Sequence, residues 1–547
     1  MPDIYIPEAA YQFLGCNGNE ARFNSVKSTL DSGTDLKTLF DSAGTGDSYV
    51  AVKNACEGLA TPGPDDTAAI QANITAAGAN AVIGFPTQTW RVTSLTPVDG
   101  QTWIMYGATL KHIDATLEVE HGHVLILING KLNVTILGGT LDGNKSRYAA
   151  ATVQPGTVGC YIRGAADRIT LRDVTGQNFP GSDSTGTRGG DGFTIGASGE
   201  VPTNVALENC IGKLNVRQGL SIITGRDLSI RGGAYHGQTG TNPGCGIDIE
   251  PNQASDVLDN VSLEGVSLYN NNADTGDLTI TNKVDGNVTV SACKFRPKSG
   301  KFGLYMRTAV TVTAPVFDLS LGGKGVWFDI ADGARLSGGI FTGDDPLVAG
   351  VAVRVFDTNR WEVSDSYFEN IAHLEIDQQI SGADRLEALY GGRLVNCDFL
   401  NCNGGDADNF DYVLFIRNDA ANAELLYDLE LGDLRFHDTR SNPNEARRAI
   451  QLSGVSQAEF DTWTVYNLSK NGQDVLIEAS GITAYGTQFL HGRTRAPAFR
   501  ITQEVPTDGK TGILVSRNVG GTVTTQEVTM GATDSGGAGY KVLRVAN

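Results

Sequence analysis

Two carboxylates placed two residues apart on a strand stand on one face, and Gly-Ile-Asp248-Ile-Glu250-Pro-Asn252 supplies such a pair. At the strand rise their Cα atoms lie roughly 6.6 Å apart, and side-chain rotation then allows carboxyl separations of roughly 5 to 9 Å. That span covers both two-acid routes for splitting a glycosidic bond. One carboxylic acid protonates the leaving oxygen, and the other acts as base or as nucleophile. The negative charge of one neighbour raises the pKa of the other, which the acid role requires.

Other chemistry is open to the same surroundings. β-Elimination on a uronic acid polymer needs a cation against the substrate carboxylate and a base for the α-proton. Arg217 or Arg307 with His236 or Tyr305 would serve. A non-catalytic adhesin or structural fibre would use the acids only to hold sugar.

Asp191 and Arg217 join the candidates by register. Gly192, Gly219 and Gly246 open the phrases GFTI, GLSI and GIDI, 27 residues apart each time. Alternation turns Phe193, Leu220 and Ile247 inward with Ile195, Ile222 and Ile249, and turns Thr194, Ser221 and Asp248 outward. Ser221 then lies beneath Asp248, and Arg217 precedes its strand. Asp191, an alternative second carboxylate, is expected at a turn that reaches the pair only if loops fold back. Tyr305, Arg307 and Trp327 on later coils are candidate substrate contacts, since rings stack on sugars and guanidinium forks grip anions. His236 also faces outward, where a lone histidine is ordinarily plain surface. Segments 142–167, 177–190 and 237–245 are long enough to wall a groove around this face.

A repeat must position all of these residues. A nine-residue phrase of alternating small apolar residues ending in an aromatic recurs, for example NVSLEGVSL from 260, AVTVTAPVF from 309 and RWEVSDSYF from 360. Its ninth position reads Leu141, Gly176, Gly212, Tyr235, Leu268, Phe295, Phe317, Phe341, Phe368, Phe399, Phe436, Tyr466 and Phe489. Nine of these thirteen are Phe or Tyr, in a chain only 7% aromatic. Coils about 4.8 Å apart would stack those rings in register. A single-stranded right-handed parallel β-helix, all-β, is the expected fold. The phrase GVAV at Gly350 is expected in the same column as Gly325. Cys210, Cys293 and Cys397 share the seventh position, an interior column of small residues. The eight cysteines fit no metal-ligand spacing and are expected as free, mostly buried thiols.

The coils need closed ends. Asp65-Asp66-Thr67-Ala68-Ala69-Ile70-Gln71 predicts a polar N-cap and a short capping helix to about Ala77. The strand-turn-strand segment AVIGFPTQTWRVTS follows. The expected division is an N-terminal segment at 1–63 (an attachment or cap, with a possible helix near 21–41), the β-helix at 64–504, and a β-rich tail at 505–547.

A net charge of −20 leaves no basic surface for nucleic acid or for an anionic membrane. No apolar run approaches the roughly 18 residues of a membrane span, and no signal-peptide pattern opens the chain. No metal and no cofactor is expected.

The helix phrase DDTAAIQ, the strand-FP-turn-strand after it, GGTLDGN at 138–144 and GIDIEPN at 246–252 resemble the pectate-lyase-like β-helix superfamily. Within it, they are most similar to phage tailspikes and bacterial polysaccharide depolymerases. The resemblance covers about residues 64–500. It implies a polysaccharide substrate, a homotrimer, and a place on a virion tail or outside a cell. The polygalacturonase acid set, the epimerase Asp-Pro-His and the calcium-binding acid cluster of pectate lyases are absent from the sequence. What the resemblance leaves is action on a carbohydrate polymer, and the pair Asp248 and Glu250 makes two-carboxylate hydrolysis of a bacterial surface or extracellular polysaccharide the leading expectation.

Overall fold

The protein is described by a computed structural model. It covers residues 65–439 except 114–123, 149–156, 182–188, 241–242, 274, 282–286, 346–349, 379–388, 403–411, 419–425 and 428. Outside that range it covers the strand segments 49–51, 448–453, 459–461, 464–467, 475–480, 488–489, 493–494, 499–503, 514–519 and 522–527.

Three short strands make one coil. Asp191–Ile195 is followed by Thr203–Glu208 and Ile211–Lys213, and the next coil begins at Gln218–Ile222. Each strand pairs in parallel with its equivalent one coil on, so the chain winds into stacked sheets. One of these holds 14 strands, from Val124–Asn129 to Phe499–Gln503. The chain is a single-stranded right-handed parallel β-helix.

A single left-handed residue makes the bend between second and third strands. Asp173, Asn209, Asp365 and Asn396 take it with φ of 58°, 52°, 53° and 52°. Short polar side chains tolerate that region because they bond locally to the backbone. In one coil the bend is Gly232-Gly233 instead. A Cβ on Gly233, at φ 76°, would lie 2.0 Å from the Cys210 carbonyl oxygen, so only glycine fits.

The interior consists of columns. On the long sheet Cys160, Phe193, Leu220, Ile247, Leu278, Leu304 and Val326 are register partners, with Ile162, Ile195, Ile222, Ile249, Ile280, Met306 and Phe328 beside them. All are buried. On the third strands Leu141, Gly176, Gly212, Tyr235, Leu268 and Phe295 align, as expected from the ninth position. From there the rings stack. Phe295, Phe317, Phe341, Phe368, Phe399 and Phe436 have successive centroids 4.5, 4.6, 4.8, 4.9 and 4.7 Å apart. Such offset pairs contribute about 0.5–1.5 kcal/mol each beyond their burial.

The seventh-position cysteines lie at the bend and lend their thiols to the previous coil. Cys210 Sγ donates to the Leu171 carbonyl at 3.5 Å and Cys293 Sγ to that of Leu263 at 3.8 Å. Cys160, Cys210, Cys245, Cys293, Cys397 and Cys402 are free and buried. Burial pushes the thiols of Cys160, Cys210, Cys245, Cys293 and Cys397 up, the reverse of a reactive thiolate. Cys16 and Cys56 lie outside the described residues.

The capping helix spans Thr67–Ala77 and buries Ile70 and Ile74. Asp66 holds the N-cap place without a side-chain cap bond. Its Oδ2 instead accepts the Arg91 N–H at 3.0 Å, tying the helix to a coil strand, while Asp65 Oδ1 accepts the Thr67 N–H at 2.9 Å.

Two expected alignments shift. Val326 pairs with Val353, so Gly325 faces Ala352 and the Gly350 phrase slides by two residues. A Cβ on Gly325 would meet the Ala352 carbonyl oxygen at 2.1 Å, which explains the glycine. Further on, Phe436 pairs with Val465 rather than Tyr466, and Phe489 pairs with Phe460. For Tyr466 the aromatic cue points one residue too far, while Phe489 falls in the column of Leu431 and Phe460 instead. In the tail, Leu514–Val519 and Thr522–Glu527 form an antiparallel pair, unlike the coils. The helix expected near 21–41 lies outside the described residues.

Candidate active site

The outer face of the long sheet carries columns of its own. The first reads Thr194, Ser221, Asp248, Thr279, Tyr305, Trp327, Arg354 and Glu375 by strand register. Ser221 is the Cα partner of Asp248, as expected. Outward here does not mean solvated. Asp248 is 1% exposed, Ser221 and Thr194 are 5% and Tyr305 is 6%.

Asp248 lies in the strand Ile247–Ile249, and Glu250 follows directly, half-buried. Its loop is fixed by Asp256, itself 8% exposed. Asp256 Oδ2 accepts the N–H groups of Asn252 and Gln253, both at 2.9 Å, while Oδ1 accepts that of Gly199 at 3.1 Å.

Asp191 is not at a turn. It opens the strand Asp191–Ile195 and pairs with Gln218. Because register places it there, no loop has to fold back. Arg217 Nη1 is 3.6 Å from Asp191 Oδ2, and the Thr194 hydroxyl donates to the same oxygen at 3.3 Å. Gln218, which the sequence did not single out, donates its side-chain N–H to Asp248 Oδ2. The available signal was the 27-residue register, which runs through Asp191, Gln218 and Cys245. Two acids, a guanidinium and an amide are thus gathered on three coils.

Buried amides at the preceding corner hold this arrangement. The Asn215 N–H donates to Gln238 Oε1 at 2.9 Å, and the Gln238 N–H donates to Asn271 Oδ1 at 3.2 Å. Asn215 Nδ2 reaches the Gln218 carbonyl at 3.2 Å. All three amide side chains are fully buried, so each unmade bond would cost a few kcal/mol. The strand-start glycines serve packing rather than ligand approach. A Cβ on Gly219 would lie 2.6 Å from the Gly246 carbonyl oxygen.

Burial pushes the Asp248 carboxyl well above the usual range, and the negative charge of Glu250 pushes it further, against a partial offset from Arg217. Asp248 Oδ2 is taken by Gln218, and Oδ1 is buried without a hydrogen-bond partner. Asp191 is likewise raised by burial, although Arg217 lowers it. Ion pair and raised pKa pull in opposite directions here. At 3.6 Å the contact is long for a charge-assisted hydrogen bond, so burial wins. Burial works against the Arg217 charge, but Asp191, Asp248 and Glu250 more than offset it, keeping the guanidinium firmly protonated.

The other expected contacts are already engaged. The Tyr305 hydroxyl donates to Asp329 Oδ2, and Arg307 Nε is 3.3 Å from the same oxygen. Asp329 was missed because one acid behind a Trp-Phe pair looks like ordinary surface. The Arg354 guanidinium lies 5.2 Å from the Trp327 ring centroid, so one face of that ring is taken. His236 belongs to the third-strand face, in Ala234–His236, and stacks on Tyr269 with centroids 4.4 Å apart. Burial and Lys213 hold its pKa down. It is not brought to the acids.

No family model matches the chain, and no curated protein matches it. Solved structures do. The tailspike of E. coli bacteriophage HK620 in complex with pentasaccharide shows 12% identity over 87% of this chain and 81% of that one, with TM-score 0.49. The N-terminal fragment of bacteriophage phi29 gene product 12 shows 13% over 88% and 74%, with TM-score 0.49. The A-module of an Azotobacter vinelandii mannuronan C-5 epimerase shows 11% over 84% and 100%, with TM-score 0.35. At such identities the similarity concerns the winding of the chain alone, and the chemistry rests on the residues described above.

Proposed function

We propose that this protein is a tailspike-like depolymerase that hydrolyses a bacterial surface or extracellular polysaccharide, with Asp248 as general acid and Glu250 as nucleophile or base. The observation that carries this is the buried Asp248 carboxyl, whose Oδ1 has no hydrogen-bond partner, two residues before the half-buried Glu250. A carboxyl kept protonated near neutral pH can donate to a glycosidic oxygen, and an adjacent carboxylate can meet the developing positive charge. A carboxyl separation of about 5 Å would make Glu250 the nucleophile of a retaining reaction, and one of about 6.5–9.5 Å the base of an inverting one. Asp191 with Arg217 sets the local field, and Asp191 is the reserve second carboxylate. Substrate reaches the site over half-buried Glu250 and over Arg217, whose side chain is 21% exposed.

Elimination is the less supported chemistry. Of its two candidate bases, His236 lies on another face and the Tyr305 hydroxyl is bonded to Asp329, while its cations Arg217 and Arg307 are already paired with acids. The working form is a homotrimer on a virion tail or outside a cell, with the tail at 505–547 contributing to assembly.

The test is incubation of the full chain with capsular, lipopolysaccharide and exopolysaccharide panels, followed by product masses. New reducing ends without ultraviolet-absorbing products are expected. An absorbing unsaturated product would make the protein a lyase, and unchanged polymer length with retained binding would make it an adhesin.

A further inference from the structure

Beside the acid cluster, at the corner after the third strands, lies a cavity of about 510 Å3 lined by Lys111, Asp142, Asn144, Lys145, Asn178 and Val216. Its size falls within the range of small-ligand sites. Val216 directly precedes Arg217, so cavity and acid cluster share a corner.

The charge of this cavity leans positive, two lysines against one aspartate. Asp142 is already satisfied, since Oδ1 accepts the Asn144 N–H at 2.8 Å while Oδ2 accepts Gln177 Nε2 at 2.8 Å and Asn178 Nδ2 at 3.1 Å. Asn144 is 6% exposed and donates Nδ2 to the His112 carbonyl at 3.1 Å, which fixes the floor. Lys145 donates to the Leu214 carbonyl and, at 3.3 Å, to the Thr239 hydroxyl. An ammonium has three donors, so one is left over. Among the described residues neither Lys111 nor Lys145 forms an ion pair with an acid. Burial pulls the Lys145 pKa down, the sign of a cation whose charge is not answered. Two ammoniums thus face one carboxylate, which keeps its charge but already accepts three hydrogen bonds, in a chain of net charge −20.

We propose that this cavity binds an anionic sugar residue, one bearing a carboxylate or a phosphate or sulfate ester, as part of the same glycan that crosses Asp248 and Glu250. The inference rests on the glycan-cleaving function proposed above and names its substrate class: an acidic polysaccharide. Lys145 supplies an oriented donor, Lys111 a mobile charge, and the Asn144 and Asn178 edges suit sugar hydroxyls.

Titration calorimetry of the full chain tests it with sodium glucuronate, glucose 6-phosphate and uncharged methyl glucoside. Binding of at least one anion but not of methyl glucoside is expected, and the preferred anion tells carboxylate from phosphate. Lys111→Met should weaken that binding roughly tenfold, the loss of one charge-assisted contact, and added salt should weaken it further. Lys145→Met should do the same. If it disturbs folding through the Leu214 contact, Lys111→Met decides alone, since among the described residues no side-chain bond holds Lys111. Equal binding of methyl glucoside, binding of neither anion, or an unchanged Lys111→Met variant overturns the proposal. Its fate is separable from that of the cleavage reaction. A protein that binds the anion through Lys111 yet leaves every polysaccharide intact retires the catalytic assignment and keeps this one.

Discussion

Gln218 on one coil donates its side-chain N–H to Asp248 Oδ2 on the next, so the acid is held by a neutral donor while the nearest guanidinium pairs with Asp191. A cation bonded to Asp248 would strip its proton. A neutral amide orients the carboxyl and leaves burial to set the pKa. The local charges divide accordingly, with Arg217 serving Asp191 and Glu250 serving Asp248.

Asp248→Asn and Glu250→Gln should each lower turnover by at least about 10²-fold. Melting temperatures near pH 7 should not fall for Asp248→Asn. The native carboxyl is buried and raised, so a neutral isostere removes a cost rather than a contact. Turnover and melting curves on the same preparations check both, and full activity in both variants would move the chemistry to Asp191.

Asp277 makes a pH prediction. Its carboxyl is fully buried and raised to about 7 by that burial, despite the Asn271 Nδ2 donor at 3.0 Å. A group raised in the folded state binds more protons there than in the unfolded chain. Its stabilising contribution is therefore complete below the unfolded carboxylate pKa of about 4 and is lost as pH rises to about 7. Asp191 and Asp248, also raised, add in the same direction. Stability measured from pH 4 to 8 should decline more steeply in the parent than in Asp277→Asn, and parallel curves would contradict the assignment.

Asp256 should act on Glu250 at a distance. Asp256→Ala frees the N–H groups of Asn252 and Gln253, so their hydrogen exchange should quicken while that of the aromatic column stays slow. Turnover should fall more than substrate affinity, because the loop displaces a reacting carboxylate rather than a binding surface. Exchange and kinetics read together test this, and quicker exchange with intact turnover would make Asp256 purely structural.

Phe368→Ala should cost about 3–5 kcal/mol, since it opens a gap between rings stacked at 4.8 and 4.9 Å. Denaturant unfolding measures it. A loss below 1 kcal/mol would mean that the column is not a continuous core.

The proposed trimer should sediment as one species at micromolar concentration. A stable monomer there would contradict it.

The fold was legible in the chain because a coil repeats its environment. Phe295 to Phe436 recur since each ring meets the same neighbour one coil away, and the 27-residue spacing of Gly192, Gly219 and Gly246 carried the register that set Ser221 under Asp248. Legibility ended where the pattern lost its cue. Val465 holds the place that the aromatic Tyr466 had suggested for itself.

Site chemistry was only half legible for a different reason. Residue type and strand parity placed Asp248, Glu250 and Arg217 near one face. Burial is a property of what packs over that face, and no periodicity encodes it. Only the folded chain decided that Asp248 is enclosed, that Arg217 answers Asp191, that Gln218 orients the acid, and that Tyr305 and Arg307 converge on Asp329. A proton's affinity depends on solvent and charge within a few ångströms, and those neighbours lie about 27 residues apart in the chain.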